Sequence, residues 1–176
     1  VYRPAGLEKA PALLSWSAYG KTMQAMKRGS LPGSSLYFDH SLEAGDIDFF
    51  VQRGYVFVIP DPRGIGVSEG EFLGIYNPQE QEDVYDVIEW LGTSCRRCDG
   101  KVAMVGYSYF GIIQMLAAAK QPPHLKCIMP LSYTDDYYQH GYYGGVASTY
   151  MSMYWELCPS HNPVPWSLKM YGEEGL

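Results

Sequence analysis

The sequence predicts an α/β fold, in which helices flank a mostly parallel β-sheet. Short apolar runs bounded by Pro and Gly alternate along the chain with helix-like segments of about a dozen residues. The apolar runs are continuous rather than alternating, which is typical of strands in a parallel sheet that is covered on both faces. A composition of 47% hydrophobic and 18% charged residues is that of an ordinary globular domain.

Four strands are predicted from these apolar runs. Each run is short, rich in Val, Leu, Ile or Met, and close to a Pro or Gly that would end it. The four runs are residues 11–17, 55–61, 101–107 and 126–132.

Three helices are predicted in the segments between the strands. Residues 42–53 include two Phe residues and precede the second strand. In residues 77–92, apolar side chains follow the spacing of one helix face, with Asn77 as N-cap, Pro78 in the first turn and Glu80 completing a capping box. Residues 109–120 are apolar nearly all round, which predicts a buried helix that ends at "QPP".

The composition changes after residue 131. Residues 132–176 are crowded with Tyr, Gly and Met and show no clear strand pattern. We therefore predict that residues 1–131 belong to the core and that residues 132–176 begin a cap or insertion over the sheet. The chain opens without Met, on what could be the end of a strand, so we expect it to be a fragment with a truncated N-terminus.

Charge and hydropathy argue against two classes of partner. The formal net charge of -6 opposes binding to the phosphate backbone of a nucleic acid. The sequence has no long apolar window typical of a membrane span, and its first residues do not resemble a signal peptide. We expect neither a nucleic-acid nor a membrane partner.

The cysteines predict a reducing, cytoplasmic location rather than a disulfide scaffold. Four are present, at positions 95, 98, 127 and 158, which is few for a chain of this size. The "CRRC" stretch has the spacing of half a zinc or redox site, but no second such pair accompanies it. We interpret Cys95 and Cys98 as loop residues and predict no metal and no cofactor.

Two serines compete for the role of a nucleophile at a strand–helix turn. Such an elbow needs a strand that ends abruptly, a strained serine, and a helix that begins at once. "GVSEG" at residues 66–70 matches the pattern GxSxG, but Ser68 follows a glycine-rich loop, Glu69 would oppose a negative charge, and no helix follows directly. We expect this match to be accidental.

Ser108 meets the requirements of the elbow. An apolar strand leads into it, Gly106 leaves room for the turn, and a helix follows directly. The generic pattern wants Gly two residues after the serine, where this chain has Phe110, and the glycine comes one later, at Gly111. The alternative is that Ser108 is an ordinary helix cap, a common use of serine between a strand and a helix.

Four stretches of the sequence match motifs of one known group of enzymes. They are "SAYGK", "DPRGIGVSEGEF", "EQEDVYDVIEWL" and "GYSYFG". They resemble, in the same order, the PYGK turn, the DxRGxGxSxGxF loop, the ExxDxxDxIxWL helix and the GxSYxG elbow of the Xaa-Pro dipeptidyl-peptidase-like serine hydrolases, the group that includes cocaine esterase and cephalosporin acylases. Ala18 replaces the usual Pro of the first motif.

The resemblance implies an α/β-hydrolase core, incomplete in this chain, with the start of a helical cap. By this analogy Ser108 is the nucleophile, and the oxyanion is held by the backbone N–H of Tyr109 and the phenol of Tyr19. We assign no catalytic role to the "DPRG" loop, and we expect Asp61 and Arg63 to form a structural ion pair there.

A serine hydrolase of this fold also needs an acid and then a base after the serine in chain order. The candidates within the sequence are Asp135, Asp136, His140 and His161, all in the predicted cap. In the family the acid and base come after the cap, so we expect them beyond residue 176 and expect His124 to be a surface residue.

The predicted function is a serine acyl hydrolase that cleaves a small ester or amide, or a short peptide, through an acyl-enzyme on Ser108. An alternative of a different class is a non-catalytic relative of this fold, or an inactive fragment, that binds a ligand through the Tyr- and Met-rich segment. An Asp and a His in later strand-end loops of the gene would distinguish the two.

Overall fold

A four-stranded sheet forms the centre of the molecule. The computed structural model describes residues 1–25 and 43–149. The strands are β1 (Ala10–Leu14), β2 (Val56–Val58), β3 (Cys98–Tyr107) and β4 (Leu125–Leu131). Their order across the sheet is β2-β1-β3-β4, and every neighbouring pair is parallel, which confirms the predicted α/β class.

Helices connect the strands. They are α1 (Lys21–Gln24), α2 (Ile47–Gln52), α3 (Pro78–Thr93), α4 (Tyr109–Ala119) and α5 (Tyr137–Gly141). The predicted helix over residues 42–53 is shorter than expected, because Gly45 has a φ of 103° and the Asp46 side chain caps the helix by accepting a hydrogen bond from the Phe49 amide.

The N-terminal cap of α3 agrees with the prediction at Asn77 but differs from it at Glu80. Asn77 accepts a 3.0 Å hydrogen bond from the Glu80 amide, as expected for an N-cap. The Glu80 carboxylate, however, accepts from the Tyr76 amide rather than from that of Asn77, so the predicted capping box is wrong. The other carboxylate oxygen accepts hydrogen bonds from Trp16 and Tyr109, which belong to other elements.

The two faces of the sheet are covered to different extents among the described residues. Helix α3 packs on β3, and helix α4 packs on β3 and β4. Leu13, Ala103 and Cys127, which are neighbours across the sheet, instead line an open cleft of about 650 Å³ beside Phe49 and Phe50 of α2. Among the described residues this second face is covered in part, by α2, which packs on β2.

A short hairpin follows α5, where no strand was predicted. Strands β5 (Tyr142–Tyr143) and β6 (Val146–Ala147) pair antiparallel. Gly144 and Gly145 connect them with φ values of 59° and 84°, a conformation that suits a two-residue hairpin turn. The described part of the chain contains no helix with the length and apolar character needed to cross a bilayer.

Candidate active site

Three loops meet at one edge of the sheet. Because β2, β1 and β3 are adjacent and parallel, their carboxyl ends lie at the same edge. The "SWSAYGK" turn follows β1, the "DPRGIGVSEG" loop follows β2, and Ser108 follows β3. Ligands of open α/β sheets bind at this edge, so it is the candidate site.

Ser108 has the backbone of a strained turn. It lies between the last residue of β3 and the first residue of α4, with φ 61° and ψ −121°. Such a conformation costs a non-glycine residue about 1–3 kcal/mol. The Ser108 amide donates to the Leu131 carbonyl at 3.0 Å, which ties the turn to β4. Its side chain is half-buried and makes no capping hydrogen bond, so the helix-cap alternative lacks its defining contact.

Two glycines make this turn possible. Gly106 has a φ of 134°, and a Cβ there would lie 2.4 Å from Cβ of Phe110. At Gly111 a Cβ would lie 2.4 Å from the Leu131 carbonyl oxygen. The first turn of α4 therefore passes directly against β4, which gives a physical reason for glycine at position 111 rather than at 110.

Ser68 lies in a different environment. Its hydroxyl donates a 2.7 Å hydrogen bond to the Asp61 carbonyl, within the loop that follows β2. The next helix, α3, begins only at Pro78. The prediction that no helix follows Ser68 directly is confirmed, and its hydroxyl closes a loop.

Tyr19 lies beside the first turn of α4. Its half-buried ring makes an edge contact with the Tyr109 ring at a centroid distance of 5.5 Å, and the Phe110 ring is 6.1 Å away. The Tyr19 amide donates to the Ser17 hydroxyl at 3.2 Å, which shapes the turn. The structure thus places the Tyr19 ring against the Tyr109 ring, and the oxyanion roles of the two residues stay a prediction.

The turn that carries Tyr19 is anchored by Asp61. The Lys21 amide donates to Oδ1 of Asp61 at 2.8 Å, and the Lys21 ammonium group pairs with Oδ2. The Asp61 side chain is only 4% exposed. The predicted ion pair between Asp61 and Arg63 is therefore wrong, because Asp61 binds across to the neighbouring loop.

Arg63 binds α3 instead. Its Nε and Nη2 donate to the two carboxylate oxygens of Asp83 at 2.8 and 2.6 Å, a bidentate pair. Partial burial acts to raise the pKa of Asp83, but the hydrogen bonds from Arg63 and Gln79 outweigh it and hold the pKa below the usual 3.8. The loop after β2 is thus attached on both sides, to the Tyr19 turn and to α3.

A buried carboxylate lies behind the elbow. Glu80 is 4% exposed, and its Oε1 accepts from Tyr109 Oη at 2.7 Å and from Trp16 Nε1 at 2.9 Å. Its Oε2 accepts from the Tyr76 amide at 2.5 Å. Burial raises the pKa of Glu80 above its usual 4.5, although the three hydrogen bonds act in the opposite direction. Sequence reasoning treated this residue as a cap only.

Gln114 is a second buried polar residue that sequence reasoning missed. Its Nε2 donates to the Phe110 carbonyl at 2.7 Å and lies 3.2 Å from the Gly106 carbonyl. Its Oε1 accepts from the Met129 amide at 2.8 Å, so the side chain joins β3, α4 and β4. The signal was present in the sequence, because a lone Gln stands within an otherwise apolar helix.

The histidine and aspartate candidates belong to three different parts of the chain, and Asp135 is exposed. His124 precedes β4, at the edge of the sheet opposite to Ser108, and its Nδ1 lies 2.7 Å from Glu89 Oε2. Asp136 caps α5 by accepting from the Gln139 amide at 3.1 Å, and His140 lies in the last turn of that helix. His161 falls outside the described residues.

Cys95 and Cys98 are free thiols, and the Cys98 amide donates to the Cys95 carbonyl. Cys95 lies in the connection between α3 and β3, as predicted, but Cys98 is the buried first residue of β3, so the loop interpretation is wrong for Cys98. Across residues 1–25 and 43–149, no three His, Cys, Asp or Glu side chains gather as metal ligands would.

Comparison with known proteins identifies the family. The model of the X-Pro dipeptidyl-peptidase (S15) family matches residues 1–167. The chain belongs to this family. Among curated S15-like relatives, cocaine esterase of Rhodococcus sp. (strain MB1 Bresler) is 39% identical over 95 residues, which are 54% of this chain and 16% of that protein. Xaa-Pro dipeptidyl-peptidase of Lacticaseibacillus rhamnosus is 28% identical over 155 residues, 78% of this chain and 19% of that protein.

Solved structures agree with the S15 assignment. A crystal structure of a CocE/NonD family hydrolase from Staphylococcus aureus superposes with a TM-score of 0.61 at 31% identity, covering 78% of this chain and 25% of that chain. The predicted α/β-hydrolase core is therefore confirmed. The matched part of this S15 chain covers 16% of the length of the cocaine esterase and 19% of the length of the Xaa-Pro dipeptidyl-peptidase, so the chain spans less than a quarter of either relative.

Proposed function

We propose that the protein is a serine hydrolase that cleaves a carboxylic ester or amide through an acyl-enzyme on Ser108. The observation that carries the proposal is the backbone of Ser108, with φ 61° and ψ −121° between β3 and α4 and no capping bond from its side chain. Strain of this kind is retained where the surrounding structure holds a residue for function. The S15 family and its named esterase and peptidase relatives support the same reaction class.

In the proposed reaction the Ser108 hydroxyl adds to the substrate carbonyl carbon. A histidine takes the hydroxyl proton and returns it to the leaving alcohol or amine, and water then hydrolyses the acyl-serine. The negative oxygen of the tetrahedral intermediate accepts hydrogen bonds from the Tyr109 amide and the Tyr19 phenol. The Tyr109 amide is at the first position of α4, where the helix dipole also favours negative charge.

The acid and base of the triad are proposed to come from beyond residue 176. His124 is at the wrong edge of the sheet, and Asp136 is engaged as a helix cap. We further propose that residues 132–176 begin the cap that lines the substrate pocket. The substrate is a small ester or amide, or a short peptide.

Covalent labelling of the full-length gene product tests the proposal. A serine-directed fluorophosphonate should add to the tryptic peptide of residues 102–120, in which Ser108 is the only serine. The Ser68→Ala variant should be labelled as wild type, and Ser108→Ala should not. Hydrolytically active protein that is labelled elsewhere, or that is not labelled, would refute the assignment of Ser108.

A further inference from the structure

The Glu80 carboxylate contacts both segments that carry the proposed oxyanion donors. Trp16, which donates to it, lies in the turn after β1, three residues before Tyr19. Tyr109, which also donates to it, directly follows Ser108. One carboxylate oxygen therefore joins the Tyr19 turn to the start of α4, across two different strand ends.

The chemistry of this contact favours a fixed geometry. Within the described residues, the carboxylate accepts three hydrogen bonds, and Trp16 and Tyr109 are 2% and 0% exposed. A buried carboxylate is destabilised unless donors surround it, so each donor is held strongly in place. Its position in the first turn of the 16-residue helix α3 adds the favourable field of the helix N-terminus.

Capping alone does not explain this side chain. A capping-box glutamate would bind the amide of its own N-cap residue, whereas Glu80 binds the preceding amide and two side chains from other elements. An apolar residue could fill the same space, but it would leave the Trp16 and Tyr109 donors buried without an acceptor. The arrangement is specific for a group that accepts hydrogen bonds at both oxygens.

We propose that Glu80 is a positioning residue of the oxyanion hole, which sets the Tyr109 amide and the Tyr19 turn relative to Ser108 through the side chains of Tyr109 and Trp16. This inference rests on the proposed function. Glu80 does not touch the substrate. Since oxyanion donors act mainly in the transition state, loss of their placement should lower kcat and leave KM nearly unchanged.

The test compares Glu80→Gln with Glu82→Gln in the full-length gene product. Glutamine accepts at only one of its two terminal atoms, so its NH₂ group would face a donor in either orientation. With a 4-nitrophenyl ester, E80Q should lower kcat about 10- to 100-fold with KM changed by less than about twofold. E82Q alters an exposed glutamate of the same helix and should behave as wild type.

Phosphonate titration separates positioning from simple loss of folded protein. If kcat is expressed per titrated Ser108, unfolded molecules do not count, and the rate of phosphonylation should fall together with kcat. Trp16→Phe and Tyr109→Phe each remove one donor and should lower kcat per site about 3- to 10-fold. In the double variant E80Q/Y109F the loss of kcat should be smaller than the product of the two single losses, because both substitutions affect the same hydrogen bond between the Tyr109 hydroxyl and Glu80.

Each outcome decides one of the two proposals. Wild-type protein that is not labelled at Ser108 would refute the proposed function and leave Glu80 no reaction to serve. Labelled wild type together with unchanged kcat per site in E80Q, W16F and Y109F would refute only the role of Glu80. If E80Q does not fold, W16F and Y109F decide in the same way.

Discussion

Two stretches of the molecule carry a Gly-x-Ser sequence, one in the loop after β2 and one at the carboxyl end of β3, and they are built differently. In residues 66–70 the Ser68 hydroxyl is bound to the Asp61 carbonyl, and the chain continues as a loop. In residues 106–111 the backbone turns through φ 61° at Ser108 and enters α4 at the next residue. The difference teaches that the elbow depends on what the backbone does after the serine. The loop has the full GxSxG pattern, whereas the elbow reads GYSYFG, with its second glycine at position 111.

Replacing each serine in turn by alanine should give the largest difference in kcat between the two stretches. Ser108→Ala should lower kcat about 10⁴-fold or more, because the acyl-enzyme cannot form. Ser68→Ala loses a loop hydrogen bond and should change kcat by less than about threefold. Steady-state hydrolysis of a 4-nitrophenyl ester measures both. Comparable losses in the two variants would remove the distinction between the two stretches.

Replacing the glycine at the end of each stretch by alanine should also have different effects on kcat. Gly111→Ala places a methyl group against the Leu131 carbonyl oxygen, so α4 must shift relative to β4, which should cost about 1–3 kcal/mol and lower kcat as well. Gly70→Ala strains a residue with φ 92° beside the flexible Arg63 side chain and should lower only the melting temperature. Wild-type kcat in folded Gly111→Ala would contradict this account of the elbow.

The loop of Ser68 supports the site through Asp61, and this role can be measured. Asp61→Asn removes the charge that holds Lys21, so the Tyr19 turn should loosen and kcat should fall about 10-fold. Asp83→Asn breaks the Arg63 pair on the outer side of the same loop and should leave kcat unchanged. Equal kcat in the two variants would show that the loop does not position Tyr19.

The smallest expected effect is a pH dependence of the stability that the Arg63–Asp83 ion pair contributes. The pKa of Asp83 in the folded protein lies below 3.8, so its contribution to stability is present above pH 3.8 and is lost as the pH falls through the lower, folded-state value. The melting temperatures of wild type and Asp83→Asn should therefore differ slightly at pH 7 and converge in acid. A difference that widens on acidification would contradict this sign.

The sequence predicted the parts of the fold that depend on local pattern. The apolar runs located the four strands, and Asn77 with Pro78 located the start of α3, because capping and periodicity act over a few residues. The strand–turn–helix around Ser108 was predicted for the same reason. Tyr19 required the family resemblance, since a single tyrosine among 16 carries no local signal.

The partners of the polar side chains could not be predicted in this way. Asp61 and Arg63 are two residues apart, yet they bind Lys21 and Asp83, which lie 40 and 20 residues from them in sequence. Two of the three donors to Glu80, Trp16 and Tyr109, lie 64 and 29 residues from it in sequence, and the sheet order brings their segments together. Periodicity indicates which face of an element is buried, but not which charge lies opposite it.

The two outer strands of the sheet, β2 and β4, differ in whether their free side is paired, and this difference affects the solubility of the protein. On the β2 edge, Tyr2 exchanges two 2.8 Å backbone hydrogen bonds with Phe57 and so occupies part of that edge. On the other side, β4 pairs only with β3 among the described residues, and Leu131 is 43% exposed. Open edge strands recruit strands from other molecules. Association through β4 should therefore increase with protein concentration, and a lysine introduced on that strand should reduce it.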